Sequence, residues 1–273
     1  MTSPIRYAAW VALAVSTACA PVFAQLHDNS EKQMTCSNGN QDGDRARHCD
    51  IREQNAPSIG RLAVDAGHNG GVSIKGWLQS GVLVRSRVEA SGDTESAAAA
   101  MASQVTIDTS GGQVHANGPE SANNSWWSVS FEIFVPQNSD LDLKTYNGGI
   151  NISDVRGQIH FDAHNGGVNL KRVAGDVNGA TVNGGINAEL AGYSWDGRQL
   201  EVSTHNGGVT VAMPSTYSAH FKAETHNGGI QSDFPVTVTG NVKPHQIDTN
   251  IGSGGGLIHI TTYNGQVRMK RTE

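Results

Sequence analysis

Charge is scarce in this chain and nowhere strongly basic. Of 273 residues, 16% are charged and the formal net charge is −6. No Lys/Arg cluster exists that could neutralise several phosphates, which argues against a nucleic-acid partner. Long apolar runs are also missing: after residue 24 none is long enough to cross a bilayer, so no membrane span is expected once the leader is removed. Catalytic motifs are absent too. There is no His-Glu-x-x-His and no Gly-x-Ser-x-Gly. The glycine run Gly252 to Gly256 lacks the Lys-Ser/Thr and following helix of a phosphate cradle. Asp108-Thr109-Ser110-Gly111 has Ser where an aspartic-protease loop needs Gly, and no partner loop. Asp and Glu are scattered, with no pair recurring at one corner as a carbohydrate-cleaving site requires. No cofactor is implied.

Cysteine is nearly absent, with only Cys19, Cys36 and Cys49. Residues 1–24 read as a secretory signal: Arg6 in a positive n-region, an apolar stretch from Ala8 to Ala20, and the small-x-small site Val22-Phe23-Ala24. The expected location is therefore the periplasm or the cell surface. A lipoprotein reading fits poorly, because Ser16 stands where Leu or Val is usual before Cys19. In an exported protein the remaining pair, Cys36 and Cys49, is expected to form a disulfide. Cys36, His48 and Cys49 could instead offer three metal ligands, without a fourth. Residues 25–56 read as a polar leader or linker around this loop. Within it Asn38, Asn40 and Asp42, followed by Gly43, match half of a calcium loop, but Cys49 takes the place of the bidentate Glu. A solvated turn segment inside the disulfide loop is the favoured reading.

What the chain does have is glycine, 33 residues of it, and one recurring tripeptide. Asn-Gly-Gly occurs at Asn69, Asn147, Asn165, Asn183, Asn206 and Asn227, with degenerate copies at Ser110-Gly111-Gly112 and Asn264-Gly265-Gln266. Residues 147, 165 and 183 are 18 apart; the next steps are 23 and 21, and the step to Asn264 is 37, about two periods. A fixed period marks a repeated supersecondary unit. A second turn falls between copies at Gly157, Gly175 and Gly197, so each unit holds two short strands. The strands alternate: Leu141, Leu143 and Thr145 face one way, Asp142, Lys144 and Tyr146 the other, and Ile159, Phe161 and Ala163 repeat the first set. Period two with one apolar face predicts sheets buried on one side. An antiparallel meander and a β-solenoid both fit, but so many strands in one meander would have to curl or split. The constant corner favours the solenoid, with stacked Asn side chains hydrogen-bonded along the axis and glycines allowing backbone shapes that Cβ forbids. The expectation is thus an all-β, β-solenoid or β-helix-like repeat of about 18–23-residue units across residues 57–273. One short Ala-rich helix, Ser96 to Ser103, is capped by Asp93 or Thr94.

The order of features is specific. A Cys loop, a strand–Ala-rich helix–strand unit and an aromatic strand ending at Val135-Pro136 precede repeated Thr-x-Asn-Gly-Gly-Ile/Val. Over residues 57–273 this resembles the bacterial DUF4097 family of candidate adhesins, whose repeats form β-solenoids. The resemblance implies a fold and a tentative adhesin label, and no catalytic residues. Gly67 and the long segment Pro235 to Ile251 depart from a regular array.

The residue before each Asn is expected to face outward. That column reads His68, Tyr146, His164, Val182, His205, His226 and Tyr263. With coils about 4.8 Å apart, His205 and His226 would be neighbours able to share a metal. Val182 interrupts the column, Tyr caps it, and no carboxylate recurs beside it, so no metal site is assigned. Flat rings on an elongated face suit an envelope glycan or another envelope protein. The expected function is a non-enzymatic envelope or surface binding scaffold; the alternative is a polysaccharide hydrolase or lyase on the same frame.

Overall fold

The computed structural model describes residues 34–36, 41–42, 45–57, 60–121, 125–235 and 245–272. The expected signal segment and the candidate calcium ligands Asn38 and Asn40 lie outside these. Of Asp42 only the backbone is placed, in the short strand Gln41–Asp42.

The chain is mostly strand and folds into two large sheets. In the larger sheet the order is Gln41–Asp42, Arg45–Ala56, Val82–Gly92, Trp126–Pro136, Val72–Trp77, Ile150–Ser153, Val168–Lys171, Ile186–Glu189, Val209–Pro214, Val267–Thr272 and Ile230–Ser232. In the smaller it is Gln246–Ile251, Ala219–Asn227, Leu257–Asn264, Gln199–Asn206, Ala174–Asn183, Arg156–Ala163, Asp140–Thr145, Arg61–Asp65, Gln113–Asn117 and Thr106–Asp108. Successive coils pair in parallel, Ile150 with Val168 and Val168 with Ile186, which rules out a meander and gives a β-solenoid-like stack. Inward side chains close an apolar core between the sheets: Leu141, Leu143, Phe161, Ile150, Leu170, Val202 and Ile260 are all buried.

Coil order departs from chain order at both ends. Leu257–Asn264 inserts between Gln199–Asn206 and Ala219–Asn227, leaving the earlier strand outermost. Gln246–Ile251 then pairs antiparallel with that outer strand and covers its edge. Likewise Gln113–Asn117 and Trp126–Pro136 stack outside Arg61–Asp65 and Val72–Trp77. Antiparallel Val82–Gly92 and Thr106–Asp108 finish that end. An open parallel edge would template pairing with other chains, and these antiparallel strands cover it. The 252–256 glycine run makes the return from the covering strand possible: Gly252, Gly254 and Gly255 have φ of 57°, 79° and 144°.

Two expectations are corrected, on residues 45–56 and on the copy at 110–112, and two open choices are resolved. Residues 45–56 are not a linker but a 12-residue strand paired along its length with Val82–Gly92. Its apolar periodicity is hidden because the helix Glu95–Gln104 packs against it and is met by polar groups. Arg52 donates to the C-terminal carbonyls of Ala102 and Val105, groups a helix leaves unpaired. The helix cap is Thr94, whose hydroxyl accepts from Ala97 N at 3.1 Å. The degenerate copy 110–112 is a 3-10 turn between the antiparallel strands Thr106–Asp108 and Gln113–Asn117 of the smaller sheet, not a corner from one sheet to the other. Cys36 and Cys49 form a disulfide with Cα atoms 5.9 Å apart, so neither sulfur is a metal ligand.

Candidate functional site

The Asn-Gly-Gly corner is built by three interlocking rows. Asparagine amides form a one-way ladder: Asn147 Nδ2 donates to Asn69 Oδ1, Asn165 to Asn147, Asn183 to Asn165, Asn206 to Asn183, Asn264 to Asn206 and Asn227 to Asn264, at 2.8–3.0 Å. Beneath it, buried threonines donate to corner carbonyls: Thr181 to Gly166, Thr204 to Gly184, Thr262 to Gly207 and Thr225 to Gly265, each at 2.8 Å. The Thr position was legible in the Thr-x-Asn-Gly-Gly pattern, but its hydroxyl's role was not.

The first glycine of each corner is needed for space, not for an unusual backbone shape. None of these glycines has positive φ. A Cβ on Gly166 would lie 2.1 Å from Gly148 O, and one on Gly184 2.1 Å from Gly166 O. At the second glycine the approach is looser, 3.1–3.5 Å, with nothing within 4 Å at Gly229, and Gln266 stands there in the last copy. The expectation that Cβ would forbid the turn conformation is therefore replaced by close stacking of corner on corner.

Outside the ladder runs the ring column, in the order His68, Tyr146, His164, Val182, His205, Tyr263, His226. His68 meets Tyr146 edge-on at 5.3 Å, and Tyr146 stacks on His164 at 4.5 Å with planes 9° apart. Tyr263 stacks between His205 at 4.8 Å and His226 at 4.5 Å. So His205 and His226 are not neighbours, and Tyr263 does not cap the column. The inserted C-terminal coil separates the two imidazoles, and with them goes the shared-metal geometry. Among the described residues no group of three or more His, Cys, Asp or Glu could hold a metal ion.

The column is exposed: Tyr146 is 44%, Val182 36% and Tyr263 45% accessible. Ring faces are spent on one another, so what points to solvent is a comb of edges, phenol oxygens and imidazole nitrogens. This corrects the picture of flat faces offered to a ligand. Faces are open where Val182 replaces a ring. His164 and His205 lie two rungs apart there, roughly 9.6 Å, leaving a notch one ring thick.

A second place with chemistry is the outer face of the smaller sheet. Glu201 accepts from His259 Nδ1 at 3.2 Å and Asn178 Nδ2 at 3.4 Å. Glu201 and Asn178, with His160, Asp162, Ala180 and Thr261, line a depression of about 200 Å³. Asp162 and Glu201, far apart in sequence, thus border one depression, although register sets Glu201 beside Asn178 and His160 and sets Asp162 beside Ala180 and Ser203. Further along, the Lys222 ammonium holds Glu224 below the usual carboxylate range.

The fold and its corner define a β-solenoid-like repeat protein with a stacked-ring edge. The chain belongs to the Toastrack DUF4097 family, whose model matches residues 56–270. No curated protein gives a significant match. Two solved structures are similar. One is a "putative cell adhesion protein" from Clostridium sporogenes ATCC 15579, with 14% identity, TM-score 0.39, and 82% of this chain and 100% of that chain covered. The other is a "putative adhesin" from Bacteroides fragilis NCTC 9343, with 9% identity, TM-score 0.34, and 82% and 97% covered. Among the described residues no helix is long and apolar enough to cross a membrane.

Proposed function

We propose that this is an exported, non-enzymatic binding scaffold of the cell envelope, which holds a glycan along the ring column. The repeat of about 18–23 residues serves as its ruler. One observation carries the reading: exposed rings recur at the coil spacing along a rigid edge, with centroids 4.5–5.3 Å apart. Phenol and imidazole edges at that spacing suit an extended polymer rich in hydroxyls, and the Val182 notch admits one flat ring. Each contact is weak, and a polymer gains by making many at once.

The test is retention on insoluble cell-wall glycan. Replacing Tyr146, His164 and His205 together with Ala should reduce retention at least tenfold; unchanged retention would sink the reading. A second reading, polysaccharide hydrolysis or elimination, is favoured by the Glu201–His259 pair and by Glu201 sharing a depression with Asp162. New reducing or unsaturated ends released from envelope polysaccharide, and lost in Glu201→Gln, would displace the scaffold reading.

A further inference from the structure

At the His68 end the ring column runs into a cavity of about 660 Å³, within the range of small-molecule pockets, roughly 300–1,000 Å³. It exists because the outermost coil has no Asn-Gly-Gly corner. Pro119 and Ser121, which follow Gln113–Asn117, line it instead.

The lining is chemically mixed. Trp127 supplies an aromatic wall, its indole N–H already given to Pro119 O at 2.7 Å. Asp142 Oδ1 is buried and accepts no hydrogen bond. Lys144, two residues on and on the same outward face, has no carboxylate within ion-pair distance among the described residues. Asn69 ends the ladder as acceptor, so its amide nitrogen has no asparagine to donate to. Asp65 accepts from Gly67 N at 2.8 Å and keeps its second oxygen. Unpaired acceptors and donors side by side, against an aromatic face, are satisfied together by a ligand whose groups both give and accept. Sugar hydroxyls do this, and a pyranose also brings an apolar face for Trp127. Two carboxylates against one lysine disfavour an acidic sugar.

We propose that this cavity is a saccharide end-site, which takes the terminal neutral sugars of a glycan whose chain continues along the ring column. It rests on the glycan reading above and adds where the chain end sits, since His68 belongs to both column and cavity.

The experiment titrates the full chain with cellobiose, N,N′-diacetylchitobiose and digalacturonate, read by ligand-observed NMR and calorimetry. At least one neutral disaccharide should bind at millimolar concentration and digalacturonate more weakly. Asp142→Asn and Lys144→Met, both conservative in volume, should each weaken binding by about tenfold with unchanged melting temperature. The triple ring-column variant should leave disaccharide binding intact. No binding by either neutral sugar, preference for the acidic one, or indifference to both cavity variants overturns the proposal. Retention on insoluble glycan, measured in parallel, separates the two ideas. Retention that depends on the column without disaccharide binding sinks only the cavity. Disaccharide binding without column-dependent retention sinks only the column.

Discussion

Tyr263 lies face to face with His226, ring centroids 4.5 Å apart and planes 12° apart, although it comes 37 residues later in the chain. On its other face it meets His205 at 4.8 Å. One side chain from the inserted C-terminal coil thus ties two earlier coils together. Tyr263→Ala removes both contacts and should cost about 2 kcal/mol, at about 0.5–1.5 kcal/mol per aromatic pair. Chemical denaturation checks it; a loss no larger than that of an isolated exposed tyrosine would remove the stack's stabilising role.

Val182→Tyr is the complementary change. A ring at this position would stack on both His164 and His205, and should stabilise the fold by about 1 kcal/mol. It would also fill the notch. If glycan uses that gap, retention falls while melting temperature rises, a combination that general destabilisation cannot produce.

The corner glycines separate space from conformation. Gly184→Ala would drive a methyl to 2.1 Å from Gly166 O and should destabilise by about 3 kcal/mol. Gly229→Ala meets nothing within 4 Å and should be neutral or stabilising by about 0.5 kcal/mol. Comparable losses at the two sites in thermal melts would refute the stacking account.

Tyr217 provides the pH test. Its phenol is buried, which pushes its pKa up, with Asp196 adding to the rise. The unfolded phenol ionises near pH 10 and the folded one does not. Its stabilising contribution is therefore complete below about pH 10 and is lost progressively as pH climbs above it. Tyr217→Phe should move the alkaline unfolding midpoint upward, followed by far-ultraviolet circular dichroism from pH 9 to 12. Phenolate absorbance of the folded wild type should show one tyrosine that resists ionisation until unfolding.

Local pattern carried much of the architecture. Alternation placed Leu141, Leu143, Ile159 and Phe161 inside, and the period of 18 placed Asn147, Asn165 and Asn183 on consecutive rungs, since neighbouring coils of equal length must align equal residues. Residues 45–56 were not legible as a strand. Their inner side meets helix carbonyls through Arg52 rather than apolar side chains, so no apolar alternation marks them. The cavity was illegible too: Trp127 belongs to a different coil from Asp142 and Lys144, and they line one cavity only across coils.

The amino-acid sequence by itself determined the coil, its two strands, its corner residues and the family, because each is written in spacings shorter than one turn of the stack. The order of the coils came only with the tertiary structure. A step of 37 residues reads as two periods, yet Asn264 bonds both Asn206 and Asn227 and sits between them. Periodicity records which residues share a column, not their sequence within it. Gln246–Ile251 and Val82–Gly92 then pair antiparallel with the outer strands of that order, covering exposed backbone groups in a way that no local pattern expresses.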